Sequence, residues 1–111
     1  METLVISFSS KDVVSVNGLD ERVPDVLLIK AWYASVHNVK RKDSHHAKQL
    51  IARNEVVTNK EYCVEIKLID ERTIKHFDQY TYEMSYFLEG VLKATVISTY
   101  LEEVSYAVSN H

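Results

Sequence analysis

The chain has 111 residues, of which 46% are hydrophobic and 26% are charged, an ordinary balance for one soluble globular domain. Only two glycines and one proline are present, which excludes a glycine-rich phosphate loop and a long flexible linker. The net charge is −3 at pH 7, unlike the strongly basic charge of most nucleic-acid-binding domains. We therefore expect a single domain over residues 1–111.

The first predicted element is a strand over residues 3–9. Apolar side chains occupy every second position there, a period that is typical of a strand with one buried face. Asn17 and Gly18 follow, and both tolerate positive φ, which favours a tight turn. We expect a turn and a loop at this point, with the chain returning to the core after Pro24.

Residues 25–38 predict a helix that begins at Asp25, a residue type that favours helix N-termini. A strand is the alternative, but it would bring Lys30 onto the apolar face. A helix leaves Lys30 outside and collects the large apolar side chains into one stripe. The stripe consists of Leu28, Ile29, Trp32, Tyr33 and Val36.

Residues 43–54 predict a second, short helix. Asp43 or Ser44 can cap its start, and Asn54 suits its end. Between them, three apolar residues recur at helical spacing: Ala47, Leu50 and Ile51.

Residues 61–69 alternate between apolar and polar side chains and give the clearest predicted strand of the chain. Polar residues 70–73 predict a turn. The alternation resumes beyond them, and tyrosine, threonine and phenylalanine are residue types that strands prefer. We expect residues 61–69 and 79–88 to form an antiparallel pair.

Glu89 and Gly90 interrupt the alternation, and apolar residues from Ile97 to Val108 then recur at helical spacing. This spacing predicts a C-terminal helix, although several β-branched residues keep a third strand possible. The elements together predict an α+β domain in which an antiparallel sheet is covered on one face by two or three helices.

Residues that could carry chemistry form no recognisable motif. The single cysteine, Cys63, excludes an intramolecular disulfide and is expected to be a small buried side chain in a strand. The five histidines lack zinc-ligand spacing, and no nucleophile lies in a catalytic signature. The sequence therefore predicts no catalytic residue, no metal site and no cofactor.

Positive charge is concentrated in residues 39–54, where five basic residues face one acidic residue, Asp43. The basic residues are Lys40, Arg41, Lys42, Lys48 and Arg53. Such a segment could contact the phosphates of a nucleic acid, or it could guide association with an oppositely charged protein.

Aromatic residues of the predicted second strand form the other candidate contact surface. Tyr80, Tyr82 and Tyr86 share one face, whereas Phe87 lies on the opposite face. Tyrosine is enriched in the centres of protein interfaces, and an uncovered sheet edge favours self-association.

These observations predict a non-enzymatic protein-binding module, such as an inhibitor or neutralising partner, that occupies a surface of a larger protein. A homodimer is expected, and binding of RNA or DNA through residues 40–53 is the alternative. No secretory signal opens the chain, and its longest uninterrupted apolar run has four residues, far below the roughly 20 residues that span a bilayer. A cytoplasmic location without membrane contact is therefore expected.

Overall fold

Five strands form one antiparallel sheet in the computed structural model, which describes residues 1–15 and 21–104. The strands are β1 (Glu2–Ser7), β2 (His45–Asn54), β3 (Glu61–Ile74), β4 (Phe77–Leu88) and β5 (Val91–Glu103). They lie in the order β1-β3-β4-β5-β2, so β1 and β2 are the two edges. The predicted α+β class, with an antiparallel sheet and short helices, is confirmed.

The helices are α1 (Ser10–Ser15), α2 (Lys30–Tyr33) and α3 (Val36–Lys40), with a 3₁₀ turn (Asp25–Ile29) directly before α2. We call residues 25–40 the helical segment. Its buried side chains Leu28, Ala31 and Trp32 pack on one face of the sheet. The core therefore lies between the helical segment and that face.

The predicted helix over residues 25–38 is confirmed, but it is interrupted at Ser35. This residue is extended (φ −92°, ψ 167°), and its hydroxyl accepts a hydrogen bond from the His37 amide, which caps α3. The same hydroxyl donates to the Trp32 carbonyl at 2.6 Å. Asp25 does not cap the helical segment; Pro24 occupies the cap position, and no side chain bonds there.

The antiparallel pair of residues 61–69 and 79–88 is confirmed, with Leu68 opposite Tyr82. The turn predicted at residues 70–73 is wrong, because β3 continues to Ile74. The reversal occurs at Lys75, which has a φ of 56°. Polar side chains in the predicted turn lie on an exposed extension of the hairpin, where they need not be buried.

The helix predicted over residues 43–54 is wrong, because residues 45–54 form edge strand β2. Register shifts interrupt the pairing of β2 with β5 at Ala47 and Ala52. Each bulge adds a residue, so the side chains opposite the core positions of β5 recur every two or three residues. These side chains are His46, Gln49, Ile51 and Asn54.

The predicted C-terminal helix is also wrong over residues 91–103, which form β5. Its buried side chains alternate strictly, as a strand requires: Ala94, Val96, Ser98 and Tyr100. The small or polar members of this series make the alternation hard to recognise in the sequence. Residues 105–111, over which the helix was predicted to continue, and the Asn17-Gly18 turn lie outside the described residues.

Two further positions differ from expectation. Residues 10–15, between the first predicted strand and the predicted turn, form helix α1. At its start the Ser9 amide donates to the Asp12 carboxylate and the Asp12 amide donates to the Ser9 hydroxyl. This reciprocal pair is a capping arrangement. Cys63 lies in a strand as predicted, but on the face away from the helical segment, where it is exposed.

Candidate functional site

Asn54 lies at the end of edge strand β2, where its side chain is held by three hydrogen bonds. Its Nδ2 donates to the Val23 carbonyl and to Asp25 Oδ1, both at 2.7 Å. Its Oδ1 accepts from the Val56 amide at 3.1 Å. These partners fix the direction of the amide, so that an N–H group always faces the Asp25 carboxylate.

Asp25 begins the helical segment and is itself exposed. A second amide of β2 secures its backbone, because Gln49 Nε2 donates to the Asp25 carbonyl at 3.1 Å. Edge strand β2 thus holds both the main chain and the side chain of Asp25. A carboxylate that is oriented and open to water is suited to act as a general base.

An aromatic cluster lies under the helical segment. The ring of Trp32 stacks on Tyr100, with centroids 3.9 Å apart and planes 12° from parallel. The ring of Tyr82 meets both of them edge-on, at 6.0 Å in each case. We call Trp32, Tyr82 and Tyr100 the aromatic cluster.

Three buried polar atoms beside this cluster have no hydrogen-bond partner among the described residues: Trp32 Nε1, Ser98 Oγ and Tyr100 Oη. All three side chains are at most 2% exposed. Burial raises the pKa of the Tyr100 hydroxyl, and the neighbouring Ser98 hydroxyl opposes this shift. Unpaired polar groups at such depth are uncommon and are often found where a ligand or water binds.

The predicted basic segment does not form one continuous patch. Arg41 turns towards the sheet, with its guanidinium 3.8 Å from the centre of the Tyr80 ring and its Nε donating to Tyr82 Oη at 3.4 Å. Lys40 and Lys42 on either side of it are exposed.

The two basic residues of β2 lie apart from Lys40, Arg41 and Lys42. Lys48 lies opposite Thr99, on the face away from the helical segment. Arg53 Nε is 3.3 Å from a carboxylate oxygen of Glu55. Lys40 and Lys42 are therefore the predicted contacts that remain together at the end of the helical segment.

The predicted tyrosine face is part of the core. Tyr80 is 5% exposed, and neither Tyr82 nor Tyr86 has measurable exposure. The Tyr86 hydroxyl donates to the Leu28 carbonyl and so anchors the helical segment. Phe87 lies on the opposite face and is partly buried.

Glu2 of edge strand β1 binds the start of α3 in the helical segment. Its carboxylate accepts a hydrogen bond from the Val36 amide at 3.1 Å and lies 3.8 Å from His37 Nε2. Burial lowers the pKa of His37, against the opposing effect of Glu2.

Within the described part of the chain, no three histidine, cysteine or carboxylate side chains lie close enough to hold a metal ion. The Asp25 site offers one carboxylate and two amides, a poor donor set for zinc. In residues 1–15 and 21–104, no helix combines the length and hydropathy needed to cross a bilayer.

No family model and no curated protein matches the sequence. Solved structures do match the fold. A hypothetical protein from Aquifex aeolicus has a TM-score of 0.64 at 9% identity, over 89% of this chain and 96% of that chain. A predicted thioesterase from Bacillus stearothermophilus has a TM-score of 0.61 at 15% identity, over 90% of this chain and 77% of that chain.

A third similar structure is a thioesterase from Thermus thermophilus, solved in complex with coenzyme A and zinc. Its TM-score is 0.65 at 9% identity, over 93% of this chain and 79% of that chain. At these identities the likeness is one of fold. The shared arrangement, an antiparallel sheet packed around a helical segment, is the hotdog fold.

The comparisons correct the functional prediction. A non-enzymatic binding module or inhibitor, with nucleic-acid binding as its alternative, is wrong, because similar folds include a predicted thioesterase and a thioesterase with bound coenzyme A. The sequence lacked a signal for this conclusion, since the Asp25 site is assembled from residues 29 positions apart and includes no local motif.

Proposed function

We propose that this chain is a thioester hydrolase, which cleaves an acyl thioester into a carboxylic acid and a thiol. The observation that carries the proposal is the exposed Asp25 carboxylate, held in a fixed direction by the buried Asn54 amide. The fold supports it, because similar chains include a predicted thioesterase and a thioesterase. Since thioesters react readily with water-derived nucleophiles, an oriented base supplies the main chemical requirement.

In the proposed reaction, Asp25 takes a proton from a water molecule as the water oxygen attacks the thioester carbonyl carbon. The tetrahedral intermediate then collapses, the carbon–sulfur bond breaks, and the electron pair leaves with sulfur. The thiolate receives the proton from Asp25, so the carboxylate is restored. The proposed reaction does not use zinc, because the described side chains at this site do not suit that ion.

Asn54 acts as a positioning residue in this proposal. Its hydrogen bond holds Asp25 Oδ1, so the carboxylate loses less rotational freedom when water and substrate bind. Gln49 has the same role for the Asp25 backbone.

Coenzyme A is the proposed thiol carrier, recognised through Lys40 and Lys42. The path along the helical segment from Asp25 to Lys40 is about 24 Å, by the rise per residue of helices, and the break at Ser35 allows a shorter direct distance. The pantetheine arm reaches about 16 Å by the reach of an extended chain, and the ribose phosphate of coenzyme A lies farther on. A thioester at Asp25 therefore brings phosphates within reach of two exposed lysines.

The proposed active form is a homodimer built on edge strand β2. This edge presents ten residues, compared with six in β1, and its outer backbone groups are available for pairing with a second copy. Pairing there would place the two Asp25 sites beside the shared edge.

The test is the release of free thiol from a panel of short-chain, medium-chain and aromatic acyl-coenzyme A thioesters. We expect hydrolysis of at least one member, and a decrease of about 100-fold or more in the Asp25→Asn variant, as expected for loss of a general base. Asp70→Asn is the matched control, because Asp70 lies on the exposed hairpin and pairs with Arg72. Absence of hydrolysis across the panel, or an Asp25→Asn variant with full activity, would refute the proposal.

A further inference from the structure

We infer that Trp32, Ser98 and Tyr100 form a subsite for a hydrogen-bonding group on the acyl part of the substrate, a hydroxyl or oxo group remote from the thioester carbonyl. The inference rests on the proposed function and specifies its substrate class. We call these three residues the polar acyl subsite.

The first argument is the unpaired state of the three polar atoms. Trp32 Nε1, Ser98 Oγ and Tyr100 Oη are buried without a partner among the described residues, although burial of an unpaired polar group opposes folding. Elsewhere in the core the hydroxyls of Tyr62 and Tyr86 are paired, with the Val57 amide and the Leu28 carbonyl. The unpaired polar atoms are therefore confined to this part of the core. Their burial lowers the stability of the fold, and a ligand that bonds to them would remove that penalty.

The second argument is position. Ser98 lies directly opposite Gln49 in the β2–β5 pairing, and adjacent strands are separated by about 5 Å. Gln49 Nε2 in turn contacts the Asp25 carbonyl at 3.1 Å. Gln49 thus lies between Asp25, the residue of the proposed base, and the polar acyl subsite.

The third argument is chemical type. The indole N–H can only donate, whereas the serine and tyrosine hydroxyls can donate or accept. A hydroxyl or oxo group satisfies this set, but a plain alkyl chain leaves every member unpaired.

Access would come from the edge of the sheet. His46 is exposed, with its ring 5.3 Å from that of Tyr100, and Gln49 is partly exposed. Both belong to β2, so the polar acyl subsite lies behind two side chains of the edge strand.

The first experiment measures chemical denaturation of the unliganded protein. Ser98→Ala and Tyr100→Phe each remove an unpaired hydroxyl, so we expect both variants to have a higher denaturation midpoint than the wild type. Thr99→Ala is the control, because the Thr99 hydroxyl lies 3.3 Å from that of Thr81 and should not gain stability when removed. A lower midpoint in both subsite variants would show that the hydroxyls are already satisfied in the free protein, and it would overturn the inference.

The second experiment compares hexanoyl- and 6-hydroxyhexanoyl-coenzyme A as substrates. We expect the wild type to prefer the hydroxylated thioester about tenfold in kcat/KM, and both variants to lose that preference. Equal hydrolysis of the two substrates by the wild type would refute the subsite while the proposed function stands.

Binding can be followed separately from hydrolysis, because Trp32 is the single tryptophan of the chain. Titration with 6-hydroxyhexanoate and hexanoate should change the tryptophan fluorescence at lower concentration of the hydroxylated acid. Selective binding without hydrolysis of any thioester would support the subsite and refute the proposed function. Absence of any fluorescence change with either acid would count against the subsite.

Discussion

The side-chain amide of Asn54 donates a 2.7 Å hydrogen bond to the carboxylate of Asp25, which lies 29 positions earlier in the chain. This bond joins an edge strand to the first residue of the helical segment. Asn54 is 9% exposed and Asp25 is open to solvent, so the pair has one buried member and one exposed member.

Replacement of Asn54 by alanine should lower both stability and activity. The variant leaves the Val23 carbonyl and the Val56 amide without their partner, and we expect the free energy of unfolding to fall by about 1–3 kcal/mol. Hydrolysis should fall about 10- to 100-fold, since the carboxylate loses its orientation. Denaturation and steady-state kinetics provide the measurements. Asn38→Ala is the matched control, because Asn38 is bonded to the Tyr33 carbonyl far from Asp25.

Removal of the charges at Lys40 and Lys42 should weaken recognition of the thiol carrier. In the double Lys→Gln variant we expect KM for acyl-coenzyme A to rise about 3- to 10-fold, with kcat little changed. KM for a truncated N-acetylcysteamine thioester should stay the same, since it carries no phosphate. Lys60→Gln provides the control, and an unchanged KM in the double variant would exclude this phosphate contact.

The proposed dimer can be tested at the centre of β2. Antiparallel pairing of two copies about a two-fold axis brings the middle residues of the strand together, so Leu50→Lys would oppose two like charges. Leu50 is 53% exposed, and the variant should therefore fold. Light scattering should give about twice the chain mass of 12.8 kDa for the wild type and the chain mass for Leu50→Lys. Val91→Lys, at an equally exposed valine, should remain dimeric; a wild type that scatters as a single chain would contradict the dimer.

The sequence was informative where side chains alternate without interruption. The pairing of β3 with β4 could be predicted because Val64, Ile66 and Leu68 face Tyr86, Met84 and Tyr82 through a regular register. The helical segment could also be predicted, because its large apolar residues recur at one spacing.

Strand β2 could not be predicted by the same reasoning, because its bulges at Ala47 and Ala52 change the spacing of core-facing side chains from two to three. The helix was predicted from the spacing of Ala47, Leu50 and Ile51, of which only Ile51 packs against the core. The Asp25 site was missed for a different reason: the Asn54 contact depends on tertiary packing, and nothing local in the sequence marks an asparagine at the end of a strand as the partner of a distant carboxylate.

The turn between β4 and β5 offers a gain in stability. Glu89 and Gly90 both have positive φ, 50° and 80°, a backbone that asparagine followed by glycine adopts with less strain. Glu89→Asn should raise the free energy of unfolding by about 0.5–1 kcal/mol. Gly90→Ala should lower it, although open space surrounds the position where a Cβ would lie, because the strain is in the backbone. Chemical denaturation of both variants measures these two opposite changes in the free energy of unfolding.

Stability should depend on pH through His37. Its pKa in the folded protein is lowered from the ordinary value of 6.5, first by burial, with Lys40 and Arg41 adding to the effect and Glu2 opposing it. The unfolded chain therefore binds the proton more readily, and the free energy of unfolding should fall as the pH decreases below about 6.5. His37→Asn should reduce that slope, whereas His45→Asn, at an exposed position, should leave it unchanged. Equal slopes in the wild type and His37→Asn would rule out this assignment.

The helical segment is hydrogen-bonded to both edge strands of the sheet. Asp25 accepts a hydrogen bond from Asn54 of β2, and the Val36 amide donates to the Glu2 carboxylate of β1. The segment therefore connects the two edge strands across one face of the sheet. Loss of either contact would weaken the attachment at one end of the segment while the other end stays in place.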